Sequence, residues 1–336
     1  MLQAHWLYRF IVVLAAVFAF FVVTAPSSSY AQGGDLPPQR TVLKIAKKPL
    51  QKAASDQQQT IKARAVCCVN LAGNRVLISR NADQPLPIAS LTKLITALVT
   101  MESMPLDRKL RVPTIVQKTP KSVIGLIPGD MVSVHDLLHG LLMQSGNDCA
   151  ETLARSFPGG RRAFVTAMNK KARSLRARHT LFYTPSGLDA KLVRTEQGKN
   201  QETVKSNVST AREVARIAQV AFANNTIRSI CLKRHFSMGS AKKKQGYRVS
   251  NTNRLLREGF PLSGGKTGFT VKAGHCLATC FSPGGKNLLI VVLGSTDHFG
   301  DTRLLYRRAL KMSKDADKRT EKPSSKAAQR RSRTAG

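Results

Sequence analysis

The chain has 336 residues, enough to bury one substantial core with a small extra module beside it. Its hydrophobic content of 42% is that of an ordinary globular protein, but 54 Lys and Arg stand against 19 Asp and Glu, a formal +35. That excess draws a chain to polyanions (nucleic acid, an anionic membrane face or an acidic wall polymer) without choosing among them. Six cysteines, at 67, 68, 149, 231, 276 and 280, form no C-x-x-C pair and no Cys/His ladder of zinc spacing, which leaves no case for a zinc module.

Arg9 precedes an unbroken apolar run from Phe10 to Ala25, and Ser29-Tyr30-Ala31 fits a small-x-small cleavage site. Residues 1–31 therefore read as a secretory signal peptide, with an uncleaved anchor as the alternative. Export to the periplasm or cell envelope follows, and it weighs against nucleic acid as a partner. Residues 32–61 are rich in Gln, Lys, Ala, Pro and Gly without a period and read as a disordered linker. Residues 62–312 carry the periodic hydrophobic signal. From Ser313 to 336 the composition predicts a disordered basic tail, suited to an anionic envelope surface or serving solubility alone.

Within 62–312, Arg64–Asn70 and Arg75–Arg80 are apolar runs joined by Ala72-Gly73-Asn74, a predicted β-hairpin. Cys67 and Cys68 then face opposite sides of the strand. Leu91, Leu94, Ile95 and Leu98 recur at helical spacing, so a helix starts near Ser90. Ser133 is placed to cap a second helix, and Ser145-Gly146-Asn147 breaks the helical region as a turn. Thr210-Ala-Arg-Glu213 reads as a capping box. Phe260–Phe269, Gly274–Phe281 and Asn287–Gly294 are apolar runs split by glycine turns, an antiparallel meander. Strands at both ends of the domain and helices between them predict one sheet built from both ends.

Three short motifs carry the chemistry: Ser90-Leu-Thr-Lys93, Ser145-Gly-Asn147 and Lys266-Thr-Gly268. Together they supply a nucleophilic serine, a lysine to take its proton, a polar bridge and a cationic strand for a carboxylate. Ser-x-x-Lys also occurs at Ser240 and Ser263, but only the copy at Ser90 starts an amphipathic helix. Lys93, three residues on, lies within reach of the Ser90 hydroxyl. It can act as a base only if burial or a second cation, for which Lys266 is placed, lowers its pKa. A nucleotide-binding P-loop at Gly265-Lys266-Thr267 fails because the leading glycine is replaced by Phe260 and a strand follows. His135 and His139 have the spacing of a zinc pair but no Glu beside the first and no third ligand, and read as structural.

The three motifs in this order resemble the active site of penicillin-binding serine peptidases. More narrowly, residues 62–312 are similar to the low-molecular-mass D-alanyl-D-alanine carboxypeptidase and endopeptidase family, also through Asp148, Gly187-Leu-Asp-Ala190, Asn207-Val-Ser-Thr-Ala-Arg212 and the residues after Gly268 up to His275. The resemblance implies an α+β, β-lactamase/transpeptidase-like fold: an antiparallel sheet of about five strands flanked by helices on both faces, with a helical subdomain. It implies that Ser90 attacks the D-Ala carbonyl, Lys93 takes its proton, and Ser145 and Asn147 relay a proton and orient the peptide. Lys266 and Thr267 would bind the free carboxylate, Gly268 would clear space on the strand, and the backbone N–H groups of Ser90 and Phe269 would form the oxyanion hole. Peptidoglycan stem peptides are the implied substrate, β-lactams the covalent inhibitors, and no metal or organic cofactor is needed. D-Ala-D-Ala carboxypeptidase activity is the leading reading and cleavage of D-Ala–diaminopimelate cross-links the alternative. A β-lactamase stands behind these, since Glu196, Glu202 and Glu213 lack the context of a deacylating Glu, as does an inert wall-binding protein. The stretch Val193–Ser206 is a polar insertion that the family pattern does not explain.

Overall fold

The computed structural model describes residues 60–321 except 121, 197, 198 and 286, so the leader and nearly all of the linker lie outside the described residues. The chain opens with strands β1 (Ala65–Asn70) and β2 (Arg75–Arg80), the hairpin read from the sequence. A two-residue strand β3 (Leu86–Pro87) leads through a 3-10 turn, Ala89–Thr92, into helix α1 (Lys93–Ser103). Strands β4 (Lys109–Arg111) and β5 (Met131–Ser133) pair with each other and deliver the chain to α2 (Val134–Leu142). The Ser133 hydroxyl caps this helix by accepting from the Asp136 N–H at 3.0 Å. Helices α3 (Asn147–Arg155) and α4 (Gly160–Ser174) complete a helical layer with α1 and α2.

The polar insertion is a hairpin of its own, β6 (Ala190–Glu196) with β7 (Lys199–Lys205). A short β8 (Val208–Ser209) pairs back with β3. Next come α5 (Ala211–Ala223), α6 (Asn225–Leu232) and the hairpin of β9 (His235–Met238) and β10 (Tyr247–Ser250). The meander β11 (Leu262–Thr270), β12 (Gly274–Phe281) and β13 (Leu288–Ser295) is followed by α7 (His298–Glu321). The main sheet is antiparallel in the order β11-β12-β13-β1-β2, so it joins both ends of the domain as the sequence predicts.

β1 lies between β13 and the edge strand β2 and is buried on both faces. Cys67 faces a core shared with α1, α2 and α5, whereas Cys68 faces a second core closed by α7. All six cysteines are buried thiols with no disulfide. α1 is buried almost all round, Lys93, Thr96 and Thr100 included, because it is enclosed between the sheet and the helical layer. This central placement fixes the end that carries Ser90.

Two expectations need correction. The start of the tail expected to be disordered from Ser313 is helical: Ser313 is buried and α7 runs to Glu321, and residues 322–336 of that tail lie outside the described residues. Apolar content marks where a helix is covered, not where its backbone hydrogen bonds end. The capping box at Thr210 is only half made. The Thr210 hydroxyl accepts from the Glu213 N–H, but the Glu213 carboxylate turns away to accept from the His179 N–H and the Thr180 hydroxyl. The pair His135 and His139 keeps its structural role. The His139 ring stacks on Phe236 at 3.6 Å, its Nε2 meets Lys233 Nζ at 3.1 Å, and burial pushes its pKa down to about 4.

Candidate active site

The free edge of β11, the 3-10 turn before α1 and the loop between α2 and α3 meet at a cleft of about 890 Å3. Ser90, Ser145, Asn147, Thr267, Gly268 and Phe269 line it, and Lys93 and Lys266 lie buried behind them. All eight residues singled out in the sequence come together here.

Ser90 and Lys93 are three apart across a 3-10 turn, in which side chains at that spacing eclipse. Lys93 Nζ is 2.8 Å from Ser90 Oγ, 2.7 Å from Asn147 Oδ1 and 2.7 Å from the Ser186 carbonyl oxygen. Burial first, and the Lys266 charge second, hold the Lys93 ammonium well below its ordinary range. A neutral amine has two protons and one lone pair. Asn147 Oδ1 and the Ser186 carbonyl can only accept, so they take the two protons. Once the amine is neutral, its lone pair is what remains to take the Ser90 hydroxyl proton.

Lys266 Nζ donates to Ser145 Oγ at 2.9 Å and to the Thr267 carbonyl at 2.8 Å. Burial pushes it down to about 7. Thr267 exchanges a hydroxyl hydrogen bond of 2.6 Å with Thr252, which also donates to the Met143 carbonyl. The strand therefore presents a fixed amine and a fixed hydroxyl to an anion. A Cβ on Gly268 would sit 3.0 Å from the Ser90 nitrogen and 3.2 Å from that of Leu91. Glycine lets the strand edge close on the turn, where backbone N–H groups can face an oxyanion. Phe269 follows, 56% exposed, and lines the cleft.

The surrounding backbone holds strain beside Ser90 and at Ser145. Ala89, before Ser90, has φ +47°, and Ser145 has φ +66°. Such conformations cost about 1–3 kcal/mol each and persist where neighbours enforce them. The enforcing contacts went unread in the sequence. The Asp148 carboxylate accepts from the N–H groups of Ile124, Gly125 and Leu126, and Asn147 N–H donates to the Ser122 carbonyl, which pins the cleft wall. Asn207 accepts from the N–H groups of Tyr183 and Thr184 and donates to the Thr92 hydroxyl, which ties the Ser186 loop to the Ser90 turn. Asp148 and Asn207 stand inside the stretches that carry the family resemblance, but nothing in their spacing announces a role. Among the described residues no group of three His, Cys, Asp or Glu side chains could hold a metal ion.

Residues 51–297 match the D-alanyl-D-alanine carboxypeptidase family of peptidases. The chain belongs to this family. Its activity is that of a serine D-Ala-D-Ala carboxypeptidase, and the sheet and helices are those of the penicillin-binding fold. Among relatives of this carboxypeptidase, a D-alanyl-D-alanine endopeptidase of Pseudomonas aeruginosa is 32% identical over 271 residues, 78% of this chain and 82% of the relative. The carboxypeptidase DacC of Escherichia coli is 33% identical over 70% of this chain and 57% of its own length. The crystal structure of a Streptomyces DD-transpeptidase superposes with a TM-score of 0.66 at 27% identity, covering 75% of this chain and 98% of the other.

Proposed function

We propose that this carboxypeptidase removes the terminal D-Ala of peptidoglycan stem peptides through an acyl group carried on Ser90. The supporting observation is the set of three contacts around a buried Lys93, whose ammonium is held well below its ordinary range by burial and by the Lys266 charge. Lys93 takes the Ser90 proton as Oγ attacks the penultimate D-Ala carbonyl. The oxyanion sits against the N–H groups of Ser90 and Phe269. The C–N bond breaks, and the proton returns to the leaving amine by way of Ser145, which Lys266 holds in place. Lys266 and Thr267 grip the carboxylate of the departing D-Ala. Water then frees the acyl group and restores the Ser90 hydroxyl.

A β-lactam places its own carboxylate and strained amide in the same positions, so it acylates Ser90 and leaves slowly. Purified protein should be labelled covalently by a fluorescent penicillin and should release free D-Ala from a stem pentapeptide. Ser90→Ala should do neither, with loss on the order of 10^4 or more in kcat/KM. An unlabelled wild type, or a labelled Ser90→Ala, would sink the assignment. The site of action fits an exported enzyme in the periplasm or cell envelope, on the leader-like residues 1–31, and the excess of positive charge suits an anionic surface there. N-terminal sequencing of the protein recovered outside the cytoplasm checks the leader, with residue 32 expected first.

A further inference from the structure

Beyond Ser90 the cleft continues over a floor of rings. Phe269 lies 4.4 Å from His275, His275 stacks on His298 at 4.8 Å, and His298 lies 4.0 Å from Phe299. Burial, with His275 beside it, pushes the His298 imidazole down to about 4, so that ring is uncharged at neutral pH. At the far end the Arg254 guanidinium lies 5.9 Å over the Phe299 ring. Arg254 opens a 3-10 turn that ends at Arg257. Residues three apart in such a turn eclipse, so both arginines leave from one side while Leu255 is buried beneath them.

Both arginines are exposed and both line the cleft. Among the described residues neither side chain has an ion pair, and the adjacent Glu258 is taken by Arg303. Two like charges at this spacing repel, which an anion between them would relieve. The turn is also held in place: Asn253 Oδ1 accepts from the Leu255 N–H, and Thr252 is hydrogen bonded to Thr267 on the carboxylate-binding strand. The pair is thus positioned before any ligand arrives.

A departing D-Ala has one carboxylate, and Lys266 with Thr267 already accounts for it. We propose that Arg254 and Arg257 form a second anion subsite on the leaving-group side of the cleft, which takes a further carboxylate of a leaving group longer than D-Ala, the second stem peptide of a cross-link. The ring floor between the two sites gives such a leaving group an apolar surface to lie on. This inference rests on the Ser90 acyl-enzyme reading and adds cross-linked substrates to it.

The test compares kcat/KM for release of D-Ala from a linear pentapeptide with kcat/KM for cleavage of a purified cross-linked dimer, using the full chain. The wild type should cleave both. In R254Q/R257Q the dimer-to-pentapeptide ratio should fall at least roughly tenfold, through KM for the dimer. R162Q/K170Q, which removes two exposed charges from the outer face of α4, should leave the ratio within about twofold. Fluorescent penicillin reports whether the double variant is folded; if it does not label, R257Q alone is read the same way. An unchanged ratio, an equal loss on both substrates, or a wild type that labels with penicillin yet leaves dimers intact overturns the subsite. A wild type that does not label removes the Ser90 reading itself and the subsite with it.

Discussion

Lys266→Met should make the protein less pH-sensitive as well as inactive. Lys266 is 1% exposed, and burial pushes its pKa from 10.5 to about 7. Above about 7 the folded state has released this proton while the unfolded chain keeps it up to about 10.5. The unfolded state binds more protons in that window, so stability rises with pH, by about 1.4 kcal/mol per pH unit for one group. Below about 7 both states are protonated and the destabilisation stays constant. The six cysteines act in the opposite sense at higher pH. Their folded pKa values are raised, with Cys67, Cys231 and Cys276 at about 11, so their contribution is lost as pH climbs above the unfolded value of 9.0. The clean interval is therefore roughly pH 7 to 8.5, over which the advantage of Lys266→Met relative to wild type should shrink by ~2 kcal/mol. Methionine also leaves the Ser145 hydroxyl and the Thr267 carbonyl without a donor, at ~1–3 kcal/mol each. That cost does not vary with pH and cancels in the comparison. Lys93, relieved of its cationic neighbour, can only titrate higher in the variant, which widens the difference. Urea denaturation of both proteins across the interval is the assay. Parallel stability curves would refute a buried, depressed Lys266.

Two further predictions concern catalysis and the nucleophile's support. For D-Ala release, kcat/KM should fall above about pH 7 as free-enzyme Lys266 loses its proton, whereas the limb in kcat should lie higher because a bound carboxylate favours the ammonium; a kcat/KM that is flat between pH 7 and 9 would remove Lys266 as the carboxylate's cation. Gly187→Ala should destabilise the domain by ~3 kcal/mol or more, ~5–10 °C in Tm, and slow penicillin acylation at least roughly tenfold, because φ is +88° and the new Cβ would fall 2.0 Å from the Ala89 carbonyl oxygen. Wild-type thermal unfolding and labelling in that variant would contradict it.

The hairpin, the meander and their union in one sheet were legible because period and punctuation agree: β12 and β13 are apolar runs between glycine turns, and β1 has six residues buried or nearly so; the pairing of β13 with β1 was not. The reactive pair was legible because Ser90 and Lys93 are local to one turn. The rest depends on contacts distant in the chain. Ser186 acts through a backbone carbonyl, which no side-chain pattern encodes. Asp148 reaches back more than twenty residues to fix the cleft wall. Arg254 and Arg257 read as two more charges in a basic chain until the turn puts them on one side of the cleft. The insertion at 193–206 is mostly polar in sequence, with no alternation of apolar and polar residues to read as strand.

The register of β1 against β13 has a consequence for biosynthesis. Ala65 pairs with Leu293 and Asn70 with Leu288, so the first strand made waits for nearly the whole polypeptide before it gains its partner. Such distant pairing is slow to form. A chain halted before residue 260 would lack three of five strands, the amine at 266 and the floor under the nucleophile. A chain stopped that early therefore carries Ser90 and Lys93 without the strand that completes the cleft around them.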